Sequence, residues 1–199
     1  MADRFSVVIL AAGESLRLGY DQLSLPLGEK SVLEHTVSNF LIDSVNEIVI
    51  VAGKFFPESR SSIASPKVQW VNNPDYVFGM SSSIRKGIEH IRGSAEGIFI
   101  TPADIPLFKP ATVQSMIRAF TTAKIIIPTY RGKKGHPVLL NLNMARECLT
   151  MQSEKVLYDV INKNKNAVEW LAVDDEGILL DIDTAEDYEA LKAYYDIGH

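Results

Sequence analysis

Val7-Val8-Ile9-Leu10-Ala11-Ala12-Gly13-Glu14-Ser15-Leu16-Arg17-Leu18-Gly19 joins a short apolar run to a small-residue turn that carries one arginine. The run has the length and β-branched content of a strand. Because it does not alternate with polar residues, it reads as a strand buried on both faces. Ala11-Ala12-Gly13 then permits a tight turn and a close approach of backbone to ligand, which larger side chains would block. Open α/β sheets bind ligands where loops leave the carboxyl ends of parallel strands. Backbone N–H groups and a guanidinium at such a place suit a polyphosphate, since arginine makes forked, charge-assisted bonds to phosphate oxygens. The stretch predicts a nucleotide site near the N-terminus, built on Leu10, Ala11, Ala12, Gly13, Ser15 and Arg17. Taken alone, Ala-Ala-Gly also ends strands that hold no phosphate. Neither a Gly-x-Gly-x-x-Gly fingerprint nor a Gly-x-x-x-x-Gly-Lys-Ser/Thr loop is present.

Outward from this stretch, the 199 residues predict a single domain over 1–199, large enough to bury a core. A hydrophobic content of 46% and a charged content of 23% are those of an ordinary globular protein. The net charge of −5 gives no electrostatic case for a nucleic-acid partner. Cys148, alone of its kind, excludes an internal disulfide framework and any multi-cysteine metal site, and it falls in a helical pattern where a buried inert thiol is expected. Met1-Ala2-Asp3-Arg4-Phe5 enters the first strand without signal-peptide regions, and no apolar run reaches bilayer-spanning length. A cytoplasmic location and no membrane partner are expected.

Strand-like and helix-like runs alternate along the chain. Helical spacing covers 31–41, 82–91, 111–120, 144–149, 155–161 and 184–195, the third introduced by Pro110 and the last by a Thr184/Asp187 capping box. Strand-like runs cover 47–52, 68–71, 97–101, 124–128 and 137–140. Runs at 168–173 and 178–182 flank Asp174-Asp175-Glu176-Gly177, which predicts a hairpin. The fold expected is α/β: one Rossmann-like domain with a mostly parallel central sheet, helices on both faces and a small mixed or antiparallel portion.

Four further strings carry chemistry. Asp104, in Thr101-Pro102-Ala103-Asp104-Ile105-Pro106, follows a buried strand and falls at the same edge as Gly13. A carboxylate there has a role as a Mg2+ ligand facing a triphosphate, or as a turn residue. Asp181 and Asp183 stand two apart, on one face if the segment is a strand, and complete a metal site with Asp104 or cap the last helix. Gly79-Met80-Ser81-Ser82-Ser83 opens a helix with donors for a polar ligand, or simply caps it. Arg131-Gly132-Lys133-Lys134-Gly135-His136-Pro137-Val138 is a basic loop in which His136 is a turn residue or a ligand.

Leu10-x-x-Gly13-x-Ser15-x-Arg17-x-Gly19, then Leu25-Pro26 and Gly28, resembles the signature loop of nucleotidyltransferases. With the other strings it resembles the molybdenum cofactor nucleotidyltransferase family, closest to its cytidylyltransferase branch, over residues 7 to about 188. The resemblance implies Mg2+-dependent transfer of CMP from CTP to the terminal phosphate of molybdopterin, with release of pyrophosphate and a molybdenum hydroxylase as client. It implies Arg17 and Asp104 as catalytic residues and Asp104 and Asp183 as metal ligands. Nucleotide contacts would come from Gly79, Ser81 and Ser82 besides the first loop, and acceptor contacts from Gly135 and His136. Ala12, in place of a glycine, favours CTP over GTP by the same resemblance. Two departures stand out. Gln22 occupies the place of a phosphate-binding lysine, and Thr150-Met151-Gln152-Ser153-Glu154-Lys155-Val156 replaces the Gly-Asp-x-Gly-Ala-Arg string for the acceptor. Open alternatives are a catalytically weak nucleotide- or cofactor-binding accessory protein for hydroxylase maturation, and a nucleotidyltransferase with another phosphorylated acceptor.

Overall fold

The apolar N-terminal run forms the central strand of the sheet in the computed structural model, which describes residues 5–13, 21–54, 56–121 and 124–198. The strands are β1 (Phe5–Ala11), β2 (Pro26–Leu27), β3 (Lys30–Ser31), β4 (Val45–Ala52) and β5 (Val68–Asn72). They continue with β6 (Gly97–Pro102), β7 (Ile125–Tyr130), β8 (Lys133–Lys134), β9 (Val138–Asn141) and β10 (Val168–Ala172). The helices are α1 (Val32–Ser38), α2 (Met80–Glu89), α3 (Pro110–Ala119), α4 (Leu142–Thr150), α5 (Val156–Lys163) and α6 (Ala185–Asp196).

Among the described residues the main sheet has eight strands in the order β10-β7-β9-β6-β1-β4-β5, with β8 paired to β7. Neighbouring strands run parallel except at β9, antiparallel to both β6 and β7, and at β8. The expected mostly parallel sheet with a small antiparallel portion is thus present. Strand periodicity sends successive side chains of β1 to opposite faces. Val7 and Ile9 pack with Leu33 and Val37 of α1, Val113 and Met116 of α3, and Leu191 of α6. Val8 packs with Ile84 and Ile88 of α2, Cys148 of α4, and Val156 and Val160 of α5. Helices therefore cover both faces, as a sheet with apolar residues on either side requires. No helix among the described residues is long and apolar enough to cross a membrane.

From β1 the chain moves outward through β4 to β5, then crosses to β6 on the other side of β1. That reversal is a topological switch point, and the crevice outside the carboxyl ends of β1 and β6 is where such sheets hold ligands. The loops that open there are 12–13 and 103–106.

The hairpin expected over 168–182 does not form. β10 pairs with β7 in parallel, and Glu176–Leu179 make a single 3-10 turn in place of a return strand. The cause is Asp175, 2% exposed, whose carboxylate accepts from the Lys109 N–H (2.7 Å), the Thr112 hydroxyl (2.5 Å) and the Gly177 N–H (3.1 Å). A turn tied this firmly to the start of α3 cannot also swing a strand alongside β10. Ile178 and Ile182 are fully buried, so the apolar residues that read as a strand fill the core without a ladder. Asp181 and Asp183 are consequently placed by this irregular segment and not by strand alternation. The Thr184/Asp187 capping box does start α6.

Candidate nucleotide cleft and its neighbour

A cleft of about 420 Å³ opens at the switch point. Leu10, Ala12 and Gly13 form one wall, Pro102 and Asp104 a second, and Tyr76, Gly79, Met80 and Ser83 a third. Asp104 is aimed by its backbone: the Ala103 N–H donates to the Leu10 carbonyl (3.1 Å), which extends the β1–β6 pairing by one bond. From α1, the Thr36 hydroxyl donates to the Ala103 carbonyl (2.8 Å) and the Asn39 amide to the Pro106 carbonyl (2.9 Å). The loop that carries the carboxylate is thus bonded on both sides of it.

Burial, with the charges of Asp181 and Asp183 acting the same way and its own backbone N–H against them, pushes the Asp104 carboxyl up to about 6. A half-buried carboxylate with two exposed ones, Asp181 and Asp183, in electrostatic reach favours a cation or a proton. Among the described residues no group of three acidic, histidine or cysteine side chains is close enough to cage a metal unaided. That donor set fits Mg2+, a hard cation that keeps waters and binds through one or two carboxylates plus substrate phosphates. Asp104 and Asp183 are the residues that would hold it.

The third wall depends on Asn73, buried at the end of β5. Its N–H donates to the Ala52 carbonyl (2.8 Å), and its side-chain amide donates to the hydroxyls of Ser82 (2.9 Å) and Ser83 (3.0 Å). Gly79, at φ 90°, turns the chain into α2, a conformation that side chains resist, and no side chain caps the helix start. The serines divide their roles in a way that local sequence does not reveal. Ser83 lines the cleft, one helical turn after Gly79 and hence on its face. The Ser82 hydroxyl donates to the Gly79 carbonyl (2.8 Å), and the Ser81 oxygen accepts from the Val156 N–H (2.9 Å), on the far side of the helix start. Gly79 therefore joins Leu10, Ala12 and Gly13 in the cleft, whereas Ser81 and Ser82 buttress the start of α2. Among the lining residues missed from sequence are Ser83, Tyr76 and Met80; Ser83 could have been found from the four-residue spacing.

Gln22 lies in a 3-10 turn (Gln22–Ser24) whose entry is capped by Asp21, and its side-chain amide donates to the Ile182 carbonyl. It thus straps the acidic segment 181–183 to the first loop. Ser15 and Arg17 lie outside the described residues.

On the other side of Met80 lies a second cavity of about 430 Å³, which contains Gly135 and His136. The Gly135 N–H donates to the Pro128 carbonyl (2.9 Å) and the His136 N–H to the Ile178 carbonyl (3.0 Å). A Cβ on Gly135 would stand 2.5 Å from the Ile178 oxygen, so only glycine permits this contact. Burial pulls the His136 imidazole down to about 4, against the Ile100 backbone, so the ring is neutral near pH 7. Its Nδ1 is buried without a hydrogen-bond partner. Lys133 and Lys134 are exposed, and the Lys134 ammonium sits 4.5 Å from the centre of the Trp170 ring. Cys148 is fully buried with its thiol pushed up to about 11, which makes it inert.

Residues 7–168 match the family model of the MobA-like NTP transferase domain. The chain is similar to the molybdenum cofactor cytidylyltransferase of Escherichia coli, 25% identical over 94% of this chain and 95% of that one. It is also similar to a probable molybdenum cofactor guanylyltransferase of Natranaerobius thermophilus, 31% identical over 66% of this chain and 63% of that one. Among solved structures, the Rv0371c protein of Mycobacterium tuberculosis superposes with a TM-score of 0.80 at 25% identity, covering 97% of this chain and all of that one.

Proposed function

The chain belongs to the MobA-like NTP transferase family, and on that premise we propose that it transfers CMP from CTP to the terminal phosphate of a molybdopterin-type acceptor. The observation that carries this reading is Asp104, fixed opposite Ala12 and Gly13 at the switch point, with Asp181 and Asp183 in electrostatic reach. An acceptor phosphate oxygen attacks the α-phosphorus in line; the bond to the β-phosphate oxygen breaks and pyrophosphate leaves. The nucleophile is already an anion, so the protein needs no strong base, only positioning and charge neutralisation. Mg2+, when bound, would supply positive charge to offset that of the phosphates. Asp104 and Asp183 hold the cation side, the N–H groups near Gly13 and Gly79 face the nucleotide, and Arg17 neutralises charge that develops on the leaving group.

Cytidine is favoured by the Ala11-Ala12-Gly13 form and by the name of the Escherichia coli relative. A molybdenum hydroxylase is the client that such a product would serve. Pyrophosphate release measured with each of the common NTPs, with and without molybdopterin, tests the proposal. Release with CTP and molybdopterin together is expected, as is a larger Mg2+-dependent rise in melting temperature with CTP than with GTP. A larger shift with GTP reverses the base assignment, and no release under any of these conditions removes molybdopterin as the acceptor. A second reading, transfer to a different phosphorylated acceptor, is favoured by the apolar walls of the second cavity.

A further inference from the structure

The second cavity shares Met80 with the nucleotide cleft, so a molecule seated in it has a short path to the reacting phosphates. Its walls differ sharply from those of the cleft. Ile84, Ile127, Val138 and Val156 are buried, and Leu157 and Ile161 are half-buried around the same space. The charged lining groups, Lys134, Glu154 and Lys155, are all exposed and stand at the rim. Tyr158, also exposed, adds a hydroxyl at the rim, and inside it the polar lining side chains are Ser81 and His136. The Ser81 oxygen already accepts from the Val156 N–H, which leaves it one O–H to donate. His136 is held by its loop with Nδ1 buried and unpartnered.

A ligand body that enters such a space loses its water and regains hydrogen bonds only where the walls offer them. Two weak polar partners satisfy a body with one or two heteroatoms. A pterin, whose ring edges carry many donors and acceptors, would leave most of them unpaired. Part of the segment that departs from the family's acceptor string lines this space: Glu154 and Lys155 supply rim charges and Val156 an apolar wall, continued by Leu157, where Gly-Asp-x-Gly-Ala-Arg would supply polar groups.

We propose that the cavity lined by Met80, Ile84, Val138, Val156 and Leu157 receives the non-phosphate body of the acceptor and selects an uncharged, weakly polar one, an aryl or branched-alkyl phosphate monoester. The inference rests on the nucleotidyl-transfer reading and takes the second of its two acceptor readings. The phosphate of the monoester lies at the Met80 side, toward Asp104, with the rim lysines Lys134 and Lys155 as its cations. His136, neutral in its buried setting, serves the body and not the phosphate. The covalent step is unchanged: a monoester oxygen bonds to the α-phosphorus of the NTP, and pyrophosphate departs with the electron pair of the broken bond.

The test compares benzyl phosphate, isoamyl phosphate, ribose phosphate and molybdopterin. Binding is measured by calorimetry in the presence of CTP and Mg2+, and turnover by pyrophosphate release. Benzyl and isoamyl phosphates are expected to bind at least ten-fold more tightly than ribose phosphate and to support release. Leu157→Gln, at a half-exposed wall position that tolerates polarity, should cut that preference below three-fold and leave the CTP-induced melting shift unchanged. Leu157→Met should retain the preference. Ribose phosphate bound as tightly as benzyl phosphate, with the CTP shift intact, overturns the pocket inference alone. So does release with molybdopterin and none with the apolar monoesters, an outcome under which the transferase reading stands. No CTP shift and no release with any acceptor overturns both.

Discussion

Two cavities of nearly equal volume, about 420 and 430 Å³, meet at Met80 and are built by opposite means. The first sits at strand ends, and its loops are fixed by hydrogen bonds to backbone carbonyls: Ala103 to Leu10, Thr36 to Ala103, Asn39 to Pro106 and Asn73 to Ala52. The second sits between the antiparallel part of the sheet and α2 and α5, and its shape comes from packed aliphatic side chains. Strand-end loops hold charge in place, because the backbone that carries it is bonded to a rigid sheet. Helix walls hold shape, and their chemistry changes with a few side chains. On the proposed reading the nucleotide side is the harder of the two to vary, and residues 154–156 of the departing segment line the other side.

Removal of the cleft's charge should have the largest effect. Asp104→Ala is expected to lower Mg2+-dependent turnover on the order of 10³-fold, the scale of losing a metal ligand that stabilises developing charge. The fold should persist, since the carboxylate adds little packing, and circular dichroism checks it. An Asp104→Ala variant that unfolds, or keeps its Mg2+ response, would make the residue structural. Binding of benzyl phosphate in the second cavity should survive the change, which is where the two regions separate.

At the second cavity the sharpest structural change is Gly135→Ala. Its Cβ would press on the Ile178 oxygen at 2.5 Å, a backbone atom that cannot yield easily. A destabilisation of about 1–3 kcal/mol is expected from such overpacking, read in denaturant melts. CTP affinity should be retained, and a variant of unchanged stability would show that the 133–137 loop is not tied to Ile178.

Acid should pull the two regions in opposite directions. His136 titrates near 4 in the fold against about 6.5 unfolded, so the unfolded chain binds more protons between those values. Its contribution to stability is present above pH 6.5 and is lost as pH falls toward 4. Asp104 titrates near 6 against about 3.9 unfolded, so there the folded state binds more protons. Its contribution is present below pH 4 and is lost as pH rises through 6. Each limb has a slope of up to about 1.4 kcal/mol per pH unit. His136→Asn should therefore flatten acid destabilisation between pH 6.5 and 4. Asp104→Asn should remove the opposing trend, and Mg2+ should bind more weakly below pH 6, where protons compete for the carboxylate. A metal-free stability profile identical in wild type and both variants would sink the assignment of either group.

What the sequence disclosed follows the same division. β1, its loop and Asp104 were legible because a buried strand, a small-residue turn and a strand-end acid are local patterns that the sheet then brings together. The split among Ser81, Ser82 and Ser83 was only half legible. Helical spacing points Ser83 to the face of Gly79, but nothing local shows that Val156 occupies Ser81. The expected hairpin failed because Asp175 is claimed by Lys109 and Thr112, residues more than sixty positions away in sequence. The second cavity was visible only as Gly135-His136, because its aliphatic walls are drawn from α2, β7, β9 and α5 and no local pattern shows that these meet.

Gln22→Lys should have the smallest effect and is the most discriminating. The Gln22 amide donates to the Ile182 carbonyl, between the two acids that face Asp104. A lysine there can keep that bond through its ammonium and also bring positive charge to the triphosphate, which glutamine cannot. An increase of about ten-fold in kcat/KM with CTP is expected, short of the full worth of a charge-assisted contact because the ammonium is shared with the carbonyl. It should appear in kcat/KM at least as much as in kcat, since lysine also strengthens ground-state binding. The ratio of benzyl to ribose phosphate affinities should not move, because residue 22 does not line the second cavity. Tighter CTP binding without pyrophosphate release would mark a non-catalytic nucleotide binder. Unchanged affinity and unchanged turnover would leave Gln22 as a strut of the acidic segment, with no phosphate for its side chain to meet.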